Sequence, residues 1–214
     1  MNDLPDSVKK GTTTIGIVCQ DGVVMASEKR ATMGTLIAHK TTQKLFKIDD
    51  NIGLAVAGVV GDAQTLARYI TAEVELYKLK KGVQMSIRSV STLTSNILAG
   101  SRYYPYWVGL ILAGVDNEGG HVYAIDMVGG AIPDEYVTTG SGSPFAYGVL
   151  EDQYEKDLIL KEGVDLAIRA LSAAMKRDSA SGDGYTIATI TQKDGFALQT
   201  EEEIGKRKAK LKLN

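Results

Sequence analysis

The sequence predicts an α+β fold in which antiparallel sheets pack face to face with helices outside. Three observations carry that prediction. Segments with the two-residue period of strands and segments with helical period follow one another as strands, two helices, strands, two helices, strands, helix. Strands grouped as hairpins, apart from helix pairs, fit antiparallel sheets and not a doubly wound parallel sheet. Glycine supplies 23 of 214 residues, which implies many tight turns. That length suits one globular domain.

Residues 1–11 read as a short, poorly ordered leader. Thr12 to Gln20 then alternates, with Thr14, Gly16 and Val18 on one side and Ile15, Ile17 and Cys19 on the other. Asp21-Gly22 is a hairpin signal, and Gly22 to Glu28 makes the second strand. Leu45 to Ile48 and Ile52 to Val56 form another pair across the turn formers Asp49, Asp50 and Asn51. From Asp62 to Lys81 the period becomes helical through Leu66, Ile70, Val74 and Tyr77, and Gly82 is placed to end that helix. A second helix covers Ser86 to about Arg102.

Strands resume at Trp107 to Val115 and His121 to Ile125, separated by the turn-rich segment Asp116 to Gly120. Gly140-Ser141-Gly142-Ser143-Pro144 leads into a helix over roughly Phe145 to Lys156, and a further helix covers Val164 to Lys176. Tyr185 to Thr191 is a strand that turns at Asp194-Gly195 into Phe196 to Gln199. Thr200 and Glu203 have the spacing of a capping box for a last helix, whose acidic start and basic end suit the helix dipole.

Lysine plus arginine is 24 against 26 aspartate plus glutamate, a net charge of -2. A dedicated nucleic-acid or anionic-membrane surface needs a basic excess, so neither partner is expected. The basic end Lys206–Lys212 reads as a solvated helix end. One cysteine and two histidines leave no disulfide framework, no thiolate zinc site and little material for any metal centre or cofactor ligation. Met1 to Gly11 lacks the apolar core of a secretory signal, and no run reaches the roughly 18 apolar residues of a membrane span. A cytoplasmic protein is expected.

Most familiar chemistries fail on the residues. No Gly-x-Ser-x-Gly elbow exists to support a serine–histidine–aspartate triad, and Gly58-Val59-Val60-Gly61-Asp62 lacks the lysine of a phosphate loop. Cys19 sits inside an apolar strand, where cysteine behaves as a small buried hydrophobe. The glycines of 140–142 read first as a turn feeding a helix, and second as an anion cradle. Thr12 follows Gly11 at the start of the first strand. Taken alone it is an ordinary strand threonine. If the Gly11–Thr12 bond were cut, its α-amino group, with an ordinary pKa of about 7.7–8.0, would serve as general base to its own hydroxyl.

The segments GTTTIGI, EKRATMG, KLFKI, AVAGVVGDAQTL, TGSGSPFAYGVLE and RDSASGDGY occur in one order along nearly the whole chain. Together they closely resemble the catalytic β subunit of the 20S proteasome in its archaeal form. The resemblance implies the N-terminal nucleophile hydrolase fold, a four-layer α-β-β-α sandwich of two antiparallel sheets flanked by helices. It further implies a threonine endopeptidase that exposes Thr12 by removing residues 1–11 itself, leaving residues 12–214 as a single catalytic domain.

Residue by residue, Thr12 matches the nucleophile, Lys44 the active-site lysine and Glu28 the carboxylate that orients it. Many family members carry aspartate there. Gly58 matches the residue whose N–H serves the oxyanion, and its missing side chain is expected to let a peptide carbonyl approach. Ser141, Asp178 and Ser181 match the group around the threonine amine; read locally, they are helix-end caps. Thr32 matches the clamp that pairs with substrate as an added strand. Ala31, Val56 and Val60 match the walls of the specificity pocket, so cleavage after large apolar residues is expected.

The implied partners are more copies of the chain in a seven-membered ring, proteasome α subunits, an ATPase unfoldase and unfolded polypeptides. The aromatic run Tyr103-Tyr104-Pro105-Tyr106-Trp107 fits either an interface or core packing. Rival readings are a non-catalytic ring subunit, the bacterial relative with six-membered rings, and a small-molecule amidase of the same fold. Thr12, Glu28 and Lys44 speak against the first, the length and the Ser-Gly-Ser-Pro segment against the second, and the Thr32 clamp against the third.

Overall fold

The computed structural model describes residues 11–213. In chain order the strands are β1 (Thr14–Cys19), β2 (Gly22–Glu28), β3 (Ala31–Met33), β4 (Leu36–His39), β5 (Leu45–Asp49) and β6 (Ile52–Gly58). Helices α1 (Val60–Lys81) and α2 (Ile87–Gly100) follow, then β7 (Val108–Asp116), β8 (Gly119–Ile125), β9 (Ala131–Asp134) and β10 (Tyr136–Thr139). The rest is α3 (Ser143–Gln153), α4 (Leu160–Arg177), β11 (Tyr185–Thr191), β12 (Gly195–Leu198) and α5 (Glu201–Lys210).

Two five-stranded sheets result, ordered β10-β1-β2-β11-β12 and β5-β6-β7-β8-β9, with β3-β4 a separate hairpin. All their pairings are antiparallel. Strand alternation explains the layering. On β2, Val24 and Ala26 face the cluster that includes Leu166, Ile168 and Leu171 of α4, while Val23 and Met25 face Ala55, Ile111 and Ala113 of the other sheet. On β7, Ile111 and Ala113 look inward, and Leu110 and Leu112 look out at Leu66 and Ile70 of α1. Three apolar cores therefore separate four layers, helix, sheet, sheet and helix, as expected from the element order.

Several local signals are realised as read. Gly82 ends α1 in the left-handed region, at φ 71°, with its N–H on the Lys78 carbonyl. Thr200 Oγ1 accepts from Glu203 N at 3.2 Å, and the Glu203 carboxylate accepts from Thr200 N at 2.7 Å, closing the capping box of α5. Other boundaries differ. The first strand begins at Thr14, two residues later than expected, because Thr13 N–H goes to the Glu28 side chain instead of a sheet ladder. Helix α4 begins at Leu160 rather than Val164; Leu160 N–H is held by Asp21 Oδ1 at 2.6 Å, and Gly163, a poor helix former, packs against Cys19. Of the aromatic run, Tyr103 and Tyr104 are exposed, whereas Tyr106 packs against the core under α1 and α2.

Strands β3, β4, β9 and β10 were not expected. Strand β3 has only three residues, all four residues of β4 are exposed, and β9 is an edge strand containing Pro133, so none shows burial alternation. Two glycine substitutions probe the architecture by unfolding in urea. Gly82→Ala, a pure left-handed backbone cost, is expected to lower stability by about 1–2 kcal/mol. Gly16→Val sets a Cβ 2.8 Å from Ile111 and 2.9 Å from Val122 between the sheets, and is expected to lower it by about 3 kcal/mol.

Candidate active site

Thr12 is buried immediately ahead of β1, at the end of the seam between the sheets. Its hydroxyl donates to the Gly11 carbonyl at 2.6 Å. Its backbone N–H donates to Ser141 Oγ at 3.2 Å. Ser141 in turn donates to Asp178 Oδ2 at 2.6 Å, and Ser181 Oγ donates to the same oxygen at 2.6 Å. Thr13 Oγ1 lies 2.7 Å from Ser181 Oγ, which closes a polar chain around the head of the strand. Ser141 does not cap α3, because the residue at that position is Gly142 and no side chain bonds there. Asp178 stands at the C-terminal end of α4 and orders the loop behind it, accepting from Ala180 N at 3.2 Å.

On the other side of Thr12 lies an ion pair between Lys44 and Glu28, with 5% and 0% of their side-chain surfaces exposed. Glu28 Oε1 accepts from Lys44 Nζ and from Thr13 N, the latter at 3.2 Å. Glu28 Oε2 accepts from Arg30 N at 2.7 Å and Gly182 N at 3.1 Å. Lys44 also donates to the Arg30 carbonyl at 2.6 Å. Burial pushes the Lys44 ammonium below its ordinary value of 10.5, and the neighbouring Glu28 charge offsets only part of that shift. The carboxylate is saturated with donors, so the pair meets the condition for charges to persist in an interior.

A cavity of about 20 Å³ opens beside these groups, lined by Gly11, Thr12, Ala31, Lys44, Val56, Gly58 and Val60, among others. Thr32 lies next to it, its hydroxyl accepting from Gly11 N–H at 3.1 Å. The residues matched to the family's site therefore fall around Thr12. The structure adds a reason for glycine at 58 that the sequence did not suggest. Its φ is 137°, and a Cβ there would overlap the Trp107 carbonyl and sit 2.9 Å from Val108 Cα, so the neighbouring strand by itself already demands glycine. Of the leader, only Gly11 is among the described residues; 1–10 lie outside them.

Three residues of the network were missed. Thr13, Arg30 and Gly182 contribute mainly through backbone groups or a hydroxyl one position past the nucleophile, and such roles leave little trace in residue type. Burial raises the Cys19 thiol to about 12, in keeping with an inert core residue. No group of three or more His, Cys, Asp or Glu side chains is placed to hold a metal among the described residues, and no helix there is long and apolar enough to cross a membrane.

Two antiparallel sheets between helix layers, with a buried threonine at the head of an inner strand, constitute the N-terminal nucleophile hydrolase fold. Residues 8–190 match the family model "Proteasome subunit". The chain is 53% identical over 207 residues to the proteasome subunit beta of Methanothermobacter thermautotrophicus, covering 97% of this chain and 98% of that one. The same subunit of Ferroglobus placidus is 54% identical over 92% of this chain and 94% of its own. That of Thermoplasma acidophilum is 51% identical, with 97% and 98% covered. The chain belongs to the proteasome subunit family.

The ion pair makes a stability prediction independent of any activity. Glu28→Gln strands the Lys44 charge in the interior and is expected to lower unfolding free energy by about 3–5 kcal/mol. Adding Lys44→Met to it removes the stranded charge, and the denaturation midpoint of the double variant is expected to lie well above that of Glu28→Gln alone.

Proposed function

We propose that this chain is the threonine endopeptidase subunit of a proteasome core, made as a precursor that frees Thr12 by cutting its own Gly11–Thr12 bond. The observation that carries this reading is the Thr12 hydroxyl resting 2.6 Å from the Gly11 carbonyl oxygen, beside a buried lysine–carboxylate pair. In self-cleavage Thr12 Oγ1 bonds to the Gly11 carbonyl carbon, the C–N bond breaks, and the hydroxyl proton ends on the Thr12 nitrogen. Water then hydrolyses the ester, releasing residues 1–11 as a carboxylate and restoring the hydroxyl.

The mature site works on the same geometry. The freed amine takes the hydroxyl proton as Thr12 attacks a substrate carbonyl. The Lys44 cation favours loss of that proton and holds the amine neutral. Gly58 N–H receives the oxyanion, and Ser141, Asp178 and Ser181 orient the amine and a water. Thr32 pairs with the extended substrate backbone. Ala31, Val56 and Val60 accept an apolar side chain, a large one once Gly11 no longer lines the cavity. The names of its relatives support assembly as the β subunit of a proteasome core with α subunits; in this reading further copies of the chain form rings of seven. An ATPase unfoldase would deliver unfolded polypeptides to it in the cytoplasm.

Intact mass and peptide hydrolysis test the reading together. Thr12→Ala is expected to retain residues 1–11 and show no turnover. Lys44→Ala is expected to fold and assemble but to process and hydrolyse at least ~100-fold more slowly. In the mature enzyme, rate is expected to climb as the amine loses its proton, at a pH below the roughly 7.7–8.0 of an ordinary α-amino group because the Lys44 cation disfavours the protonated form. It then falls as Lys44 deprotonates, at a pH below lysine's ordinary 10.5 because burial depresses that group. An alkaline limb at or above 10.5 would contradict the role given to Lys44.

A further inference from the structure

Gly11 is held on three sides. Its N–H donates to Thr32 Oγ1 at 3.1 Å, and its carbonyl accepts from Thr12 Oγ1 at 2.6 Å. Its α-carbon faces Ala180: a Cβ built at residue 11 would overlap Ala180 Cβ, lie 2.9 Å from Ala180 Cα and reach 3.1 Å from Ser141 Oγ. None of those three atoms belongs to the walls of the cavity lined by Ala31, Val56 and Val60. The direction a side chain would take at residue 11 is thus turned away from that cavity and into the 178–182 loop.

That loop cannot easily retreat. Ala180 N–H is tied to Asp178 Oδ1 at 3.2 Å, and Ser181 N–H to the Asp178 carbonyl at 3.1 Å. One residue earlier, the Ser179 carbonyl accepts from Arg30 Nη1 at 2.8 Å; two residues later, Gly182 N–H is fixed on buried Glu28. A side chain at 11 would therefore push the leader and not the wall. Pushing the leader separates the Gly11 carbonyl from the hydroxyl, and a displacement of about 1 Å at a reacting centre costs on the order of 100-fold in rate.

We infer that Ala180 is the specificity-determining residue of self-cleavage, a steric filter that admits only glycine before Thr12, while peptide substrates direct their side chains into the separate apolar cavity. This rests on the self-cleavage reading and deepens it. One site then applies two opposite rules, no side chain for its own leader and an apolar side chain for its substrates.

The test follows the intact mass of the assembled full-length chain over time in wild type, Thr12→Ala, Gly11→Ala, Ala180→Gly and the Gly11→Ala/Ala180→Gly double variant. Wild type and Ala180→Gly are expected to lose residues 1–11 at similar rates. Gly11→Ala is expected to be slower by about 100-fold. The double variant is expected to recover at least about tenfold of that loss, since the worst overlap is gone and what remains is the 2.9 Å approach to the backbone of residue 180 and the 3.1 Å approach to Ser141 Oγ. The proposal is overturned if the double variant is no faster than Gly11→Ala, or if Gly11→Ala matches wild type. It is also overturned if Ala180→Gly alone fails to process, which would make the residue a part of the cleavage machinery and not a filter. Retention of residues 1–11 by wild type, or their loss from Thr12→Ala, would instead refute self-cleavage itself.

Discussion

A carboxylate with no exposed surface must find donors for both oxygens or give up its charge. Glu28 finds four: Thr13 N and Lys44 Nζ on one oxygen, Arg30 N and Gly182 N on the other. Each donor comes from a different place in the chain. Thr13 leads into β1, Arg30 follows β2, Lys44 precedes β5 in the second sheet, and Gly182 lies in the loop between α4 and β11. One side chain thereby fixes the start of an inner strand, the corner after its neighbour, the joint between the sheets and the loop that closes the site. Hydrogen bonds to an ion are roughly twice as strong as neutral ones, so a single charge can hold four segments in register.

The architecture around that carboxylate could be read in advance, since it depends on periodicity. Ile15, Ile17 and Cys19 alternate against Gly16 and Val18, and the structure sends the first set toward α4 and Gly16 toward Ile111 and Val122. Helix ends carried by a specific residue were also legible, as with Gly82 and the Thr200–Glu203 box. Hidden elements were those with no alternation to detect, such as β4, wholly exposed, and β9, an edge strand interrupted by Pro133. At the site, side chains with distinctive chemistry could be named through a resemblance to a known family, whereas periodicity alone left Thr12 an ordinary strand residue. Backbone donors such as Gly182 N–H remained invisible, because every residue type except proline offers one.

Glycine shows how a neighbouring segment can set a requirement that residue type alone does not reveal. At Gly58 an absent side chain suggests room for a substrate, yet the space a Cβ would fill is already taken by the Trp107 backbone. Glycine there permits β6 and β7 to meet closely at the rim of the site. Gly11 obeys the same logic against Ala180. In both cases a neighbouring segment of the chain sets the requirement, and only coordinates reveal which segment it is.

The polar chain opposite the ion pair has a direction, and the direction matters to the proposed chemistry. Ser141 and Ser181 both spend their protons on Asp178 Oδ2. Ser141 Oγ is therefore an acceptor toward the Thr12 nitrogen, taking its N–H at 3.2 Å, while the Thr12 carbonyl oxygen lies farther off at 3.4 Å. In the precursor that nitrogen is an amide and has no basic lone pair to offer. Once the peptide bond is gone, a neutral amine in the same place can still donate one N–H to Ser141 and keep its lone pair free for the hydroxyl proton. An arrangement with the Ser141 proton aimed at Thr12 would instead occupy the lone pair and suppress the base. Asp178 never needs to touch the reacting atoms. By claiming two hydroxyl protons it orients Ser141 toward the Thr12 nitrogen; in the proposed reaction it would act through that orientation alone.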